Sequence, residues 1–298
     1  MSAFDYQSRD STRIRGWHND GEGAPVLISN GLGTNPMAWP AIAARDSGFR
    51  VYTWYYRGSG GSARPADPER VRVVDHVDDA VALLDHAGVE RALVCCWSLG
   101  VNIAFELVER HPERVAGLLA VAGVPGGTFG AMLGPLRVPR RVVHPVAIAG
   151  AKLLRKAGPA IDRIVRRVPL NRRTAWAIAH TGFMLPSARP EVLIPALEEF
   201  REHDFGWYFG LALAGAEHEP MDLSFVRCPT TIVAGKYDLI TSLTAMVEAA
   251  QQIPHARLVV VPGSHFVPLE QPDYLLELLR DLAAEAKVIP DHSLVPGS

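Results

Sequence analysis

The sequence predicts an α/β fold: a mostly parallel sheet with helices on both faces and a helical cap inserted into it. Three observations predict it. Short apolar runs alternate with amphipathic stretches from Pro25 to Val124 and again from Thr230 to Ala286, which is how a parallel sheet with crossover helices is written in sequence. The alternation stops at Pro125-Gly126-Gly127 and resumes after about Pro220, with Pro and Gly punctuation and a strong basic bias between. A serine, Ser98, stands at one strand-to-helix junction, where ligand and catalytic groups of such sheets gather.

In chain order, Phe4 to His18 alternates loosely and reads as a hairpin of edge strands, ended by Asn19-Asp20-Gly21. Pro25 to Ser29 is a short buried strand running into Asn30-Gly31-Leu32-Gly33, and a helix is expected from Pro36 through Ala43, with proline in its first turn. Arg50 to Tyr56 is a strand followed by the glycine-rich loop Arg57 to Ser62. That loop matches neither the dinucleotide fingerprint nor the nucleotide-triphosphate loop. Val73 to Ala87 carries apolar residues on one face and is a helix; Ala92 to Trp97 is a strand, the chain from Val101 to Val108 a helix, and Val115 to Val124 a strand. Within the insertion, Pro159 to Val168 sets Ile161, Ile164, Val165 and Val168 against Arg163, Arg166 and Arg167, an amphipathic helix with a cationic face. The core resumes with strand Thr230 to Gly235, helix Thr244 to Ile253, strand Arg257 to Val261 and helix Pro272 to Ala286. The expected domains are a core of residues 1–126 and 221–287, a helical cap of 127–220 and a loose tail of 288–298.

The chain has 298 residues, 48% hydrophobic and 21% charged, as expected of a soluble globular protein. No apolar run approaches the roughly 18 residues of a membrane span, and Met1-Ser2-Ala3-Phe4-Asp5 lacks the start of a secretion signal, so the cytoplasm is the expected compartment. Cys95, Cys96 and Cys228 read as reduced, buried thiols, and no metal-ligand spacing or cofactor motif occurs. A net charge of −2 argues against a nucleic-acid partner. The charge is uneven: residues 127–180 hold eleven Arg and Lys against the single Asp162, net +10, leaving −12 for the rest. A cationic face is commonly only solvated; contact with an anionic membrane or ligand is the alternative.

Ser98 has small residues two positions before and after it, Cys96 and Gly100, as a tight nucleophile turn requires. Serine before a helix is also a common cap. What separates the two readings is that two further strand ends carry Asp238 and His265. A serine hydroxyl needs a base to take its proton, imidazole titrates near neutrality, and an acid fixes the ring tautomer. Asp222 is the rival acid.

Cys96-Trp97-Ser98-Leu99-Gly100, Asn30-Gly31, Arg57 to Ser62, Gly235-Lys236-Tyr237-Asp238 and Gly263-Ser264-His265-Phe266 together resemble the α/β-hydrolase superfamily over nearly the whole chain. The resemblance implies an eight-stranded, mostly parallel sheet with a cap after the sixth strand, and the Leu32 and Leu99 backbone amides as oxyanion hole. Asn30 stands where the family usually has histidine, Tyr55 where an acid often precedes the Arg-Gly loop, and Cys96 where glycine is commoner. The expected activity is hydrolysis of a carboxylic ester with a hydrophobic acyl or alkyl group, without cofactor or metal. The candidate substrate contacts are Trp97, Phe266 and, in the cap, Trp207; the run Phe205 to Leu211 is otherwise read as cap core. An acyltransferase, a cofactor-free perhydrolase, a carbon–carbon bond hydrolase and a triad-retaining receptor are the alternatives.

Overall fold

The computed structural model describes residues 2–34, 36–132, 140–181 and 183–288. Eight strands, β1 (Ser2–Gln7), β2 (Arg13–His18), β3 (Ala24–Ser29), β4 (Phe49–Trp54), β5 (Ala92–Trp97), β6 (Val115–Val121), β7 (Thr230–Gly235) and β8 (Arg257–Val261), form one sheet in the order β1-β2-β4-β3-β5-β6-β7-β8. β1 with β2 and β2 with β4 are antiparallel; every other pair is parallel. β2 therefore lies inside the sheet, and of the expected pair of edge strands only β1 is an edge.

The helices of the core are α1 (Val73–His86) and α2 (Leu99–Arg110), and after the insertion α7 (Leu243–Gln251), the single turn α8 (Val267–Glu270) and α9 (Pro272–Glu285). Apolar residues are packed on both sheet faces. Along β5, Ala92, Val94 and Cys96 join the layer under α1 and α2, whereas Leu93, Cys95 and Trp97 join the layer under α9. This is the period-2 alternation of a strand buried on both sides.

Between β6 and β7 the chain forms α3 (Arg140–Val165), α4 (Arg172–Ala179), α5 (Pro190–Phe200) and α6 (Phe205–Ala216). The two ends of this insertion run side by side: the Gly127 amide donates to the His218 carbonyl at 2.9 Å and the Met221 amide to the Pro125 carbonyl at 3.3 Å. Gly126, at φ +81°, has no room for a side chain there, since a Cβ would sit 2.0 Å from the Glu219 carbonyl oxygen.

Two helix expectations are corrected. Pro36 to Ala43 makes only a three-residue 3₁₀ turn, Pro36–Ala38, because Pro40 has no amide to donate and disfavours helical backbone at Trp39. Trp39, Ile42 and Ala43 are nevertheless buried. The cationic helix does not begin at Pro159: α3 starts at Arg140, runs through Pro145 and Pro159, and ends at Val165. It packs against α6 closely enough that a Cβ on Gly158 would lie 2.3 Å from the Gly206 nitrogen, tertiary packing of the kind that can offset the cost of proline inside a helix. Of the tail, only Val288 lies within the described residues. Among those residues no helix is long and apolar enough to cross a membrane.

Candidate active site

Ser98 joins β5 to α2 with φ 55° and ψ −119°, a region that residues with a Cβ rarely enter. Its side chain makes no capping hydrogen bond to the helix, so the cap reading has no support. Close approach of strand and helix explains the small neighbours: a Cβ on Gly100 would lie 2.0 Å from the Ser29 carbonyl oxygen. Cys96, fully buried, meets the same demand with its sulfur 3.6 Å from the Leu119 carbonyl. Leu99 is the first residue of α2, so its amide is one that a helix leaves without an internal acceptor, at the positive end of the dipole.

Asp238 follows β7 and is buried. Its Oδ1 accepts the amides of Ile240 and Thr241, both at 2.7 Å, which fixes the carboxylate in its own turn. Its other oxygen, Oδ2, faces His265 Nδ1 at 2.9 Å. With Nδ1–H donating to Asp238, Nε2 is left as the proton acceptor of the ring. Asp222, the rival, is exposed and caps the 3₁₀ turn Leu223–Phe225 by accepting the Ser224 amide. The His265 loop is tied to the end of β5 by Trp97, the residue before Ser98, whose indole N–H donates to the His265 carbonyl at 2.8 Å.

Two residues hold this arrangement, Glu270, which sequence reasoning passed over, and Asn30, which it noted only as a departure from the family's histidine. Glu270, at the end of α8, is buried and accepts the Ser264 amide at 2.8 Å, the Ser264 hydroxyl at 2.6 Å and the Leu185 amide at 2.7 Å. It ties the His265 loop to the insertion. An acid closing the apolar turn Val267-Pro268-Leu269 was the available signal. The other is Asn30: its Nδ2 donates to Thr53 Oγ1 at 2.8 Å, its Oδ1 accepts from Trp39 Nε1 at 3.0 Å, and its carbonyl accepts from the Tyr56 hydroxyl. The asparagine that replaces the family's histidine thus anchors the loop to β4.

Downstream of Asn30, Gly31 to Thr34 is a turn closed by the Thr34 amide on the Gly31 carbonyl, with Gly33 at φ +72° and Leu32 half-buried between. The insertion braces this turn. His203 Nε2 donates to the Gly33 carbonyl at 2.9 Å, and burial holds the His203 pKa below its ordinary value against the opposing effect of that hydrogen bond. Burial also pushes the Tyr208 phenol up to about 12.

An apolar cavity of about 70 Å³ lies where the insertion meets the strand ends, lined by Trp97, Phe266 and Gly33 from the core and Met184, Leu197 and Phe200 from the insertion. Trp97 and Phe266 are thus on its wall. Trp207 is not. Its indole N–H donates to the Arg57 carbonyl at 2.7 Å and its ring stacks under Arg64, because Gly58 at φ +74° leaves space for it.

Residues 24–272 match the family model described as alpha/beta hydrolase fold. A protein of Caulobacter sp. (strain K31) named "Putative carbamate hydrolase RutD" is 27% identical, the match covering 93% of this chain and 99% of that one. The 3-oxoadipate enol-lactonase 2 of Acinetobacter baylyi is also 27% identical, over 83% of this chain and 84% of its own. A solved structure of a thermophilic esterase from Thermogutta terrifontis superimposes with a TM-score of 0.70 at 22% identity, covering 96% of this chain and 99% of that one, a likeness of fold. With its strand order, the Ser98 turn and this match over most of its length, the chain belongs to the α/β-hydrolase family.

Proposed function

We propose that the protein is a serine hydrolase that cleaves a carboxylic ester carrying a short apolar group, through an acyl-enzyme. The observation that carries the proposal is the Asp238–His265 pair, whose loop is tied by the Trp97 indole to the strand that ends at the strained Ser98 turn. Ser98 Oγ attacks the acyl carbon while its proton passes to His265 Nε2; the leaving alcohol takes that proton as the tetrahedral intermediate collapses. Water then attacks the acyl carbon with the same ring as base, and Ser98 leaves. Asp238 stabilises the imidazolium in both halves, and the Leu99 and Leu32 amides receive the negative oxygen.

The cavity supports the short apolar group. Its 70 Å³ is about half the ~150 Å³ of an apolar cavity that accepts benzene, and Trp97 and Phe266 on its wall adjoin Ser98 and His265 in the chain. The relatives named as a lactonase and a carbamate hydrolase support attack on an ester-like carbonyl. A panel of nitrophenyl esters tests both parts. Turnover is expected to peak at short chains, and Ser98→Ala is expected to lower kcat by about 10⁴- to 10⁶-fold with the fold intact. Retained turnover and retained labelling by a fluorophosphonate in that variant would refute the assignment.

A further inference from the structure

Helix α3 presents an apolar stripe on its outer side. Val142, Val146, Ala149, Leu153, Ala160 and Ile164 recur at helical spacing and all are exposed, Leu153 by 67% and Val146 by 65%. The next residue in each of several cases, Val143, Ala147, Ile161 and Val165, is buried or half-buried, so the exposed stripe lies about 100° around the helix from the packed one. On its far side, one residue earlier, come the exposed cations Arg141, Lys152 and Arg163. The stripe runs from residue 142 to 164, about 33 Å at 1.5 Å per residue. Single exposed apolar residues need no account, but a continuous row edged by Lys and Arg has the layout of a helix lying in a lipid interface.

We propose that this face of α3 docks the protein on an anionic lipid surface. Charge complementarity selects that occupant. Residues 127–180 carry +10 and the rest of the chain −12, so an anionic surface attracts the stretch that contains α3 and repels the remainder, which orients the molecule with α3 down. The one acid of α3, Asp162, is turned inward, where its Oδ1 accepts the Phe205 amide of α6 at 2.9 Å. A second copy pairing along this stripe would set two cationic rows against each other with no acid of α3 to meet them. A bilayer offers both an apolar layer for the stripe and anions for its edge.

The test is co-sedimentation with vesicles of phosphatidylcholine alone and of phosphatidylcholine mixed equally with phosphatidylglycerol, at low and high salt. The wild-type protein is expected to bind the mixed vesicles and to lose binding in high salt or without the anionic lipid. Replacing Arg141, Lys152 and Arg163 by Gln is expected to weaken binding about 100-fold. Val146→Gln with Leu153→Gln is expected to weaken it at least tenfold through a separate contribution, about 0.8 kcal/mol for each apolar carbon withdrawn from lipid. Both variants should keep the wild-type circular dichroism. Binding without dependence on anionic lipid, or unchanged in both variants, would overturn the proposal. So would a lipid-free dimer in sedimentation velocity that the apolar variant dissociates, which would give the face to a second copy. Binding is read without turnover, so the outcome stands apart from that of the Ser98 assignment.

Discussion

Ser98 carries a backbone conformation that a Cβ makes unfavourable, with φ at 55°. Such conformations cost about 1–3 kcal/mol, and glycine, which tolerates them, loses about 0.5–1 kcal/mol through its freer unfolded chain. Ser98→Gly is therefore expected to be about 1 kcal/mol more stable than Ser98→Ala in urea denaturation, although both lack the hydroxyl. Equal stabilities would mean that the turn is relaxed. Glu270 gives a second test at this scale. In Glu270→Gln an amide group must face one of the three donors that the carboxylate now accepts, a loss of about 1.5–3 kcal/mol for a hydrogen bond to a charged group. Because the loosened part is the His265 loop, ester assays are expected to show kcat falling with KM nearly unchanged. A change confined to KM would place its influence on substrate binding. The places of Ser98, Asp238 and His265 just past strand ends were legible in the sequence because each follows an apolar strand run. Glu270 and Asn30 were not, because what they do depends on which distant amides and hydroxyls surround them, and no local pattern records that.

At the scale of elements, β3 to β8 and helices α1, α2, α7 and α9 were readable to within a few residues, since a short apolar run marks each strand and an apolar face each helix. The insertion was less readable for a physical reason. Pro159 looks like a helix start, and the close meeting of Gly158 with Gly206 across α3 and α6, beside that proline, is a long-range contact that no local pattern records. Gly158→Val is thus expected to push the two helices apart and lower stability by about 1–3 kcal/mol, the range for overpacked sites. Limited proteolysis should then cut the variant within the insertion while the sheet stays resistant. Uniform resistance would mean that α3 accommodates the side chain. Trp207 illustrates the same limit: its aromatic character was visible, but a substrate contact and a brace on the Arg57 loop look alike until the partner is known.

For the molecule as a whole, the response to acid follows from its buried charges. Burial would raise the Asp79 pKa, but hydrogen bonds from His76 and Arg57 outweigh it and hold the carboxyl below its ordinary value; Glu106 is held low likewise by His218 and Arg110. In each case the unfolded chain takes up a proton first, so stability is full above the ordinary carboxylate pKa of about 4 and is lost as pH falls below it. The buried His203, also lowered, begins a smaller loss from about pH 6.5 downward. Thermal midpoints should accordingly drift down gently between about pH 6.5 and 4 and steeply beneath. Asp79→Asn is expected to flatten the steep limb and to lower stability at neutral pH by about 3 kcal/mol, because Arg57, fully buried, loses one of its two carboxylate partners.

The pairing of residues 125–127 with 218–221 means that the chain leaves the sheet and re-enters it through one doorway. What lies beyond that doorway sets no distance inside the sheet, and it meets the strand-end loops through a few contacts, those of His203 with Gly33, Leu185 with Glu270 and Trp207 with Arg57. A transplanted segment from another member of the family, grafted at Gly127 and Pro220, would bring its own wall to the cavity and its own outer surface. On the proposed function and the proposed docking face, such a graft would change the cavity wall given by Met184, Leu197 and Phe200 together with the outer face of α3, while Ser98, Asp238 and His265 stayed with the sheet.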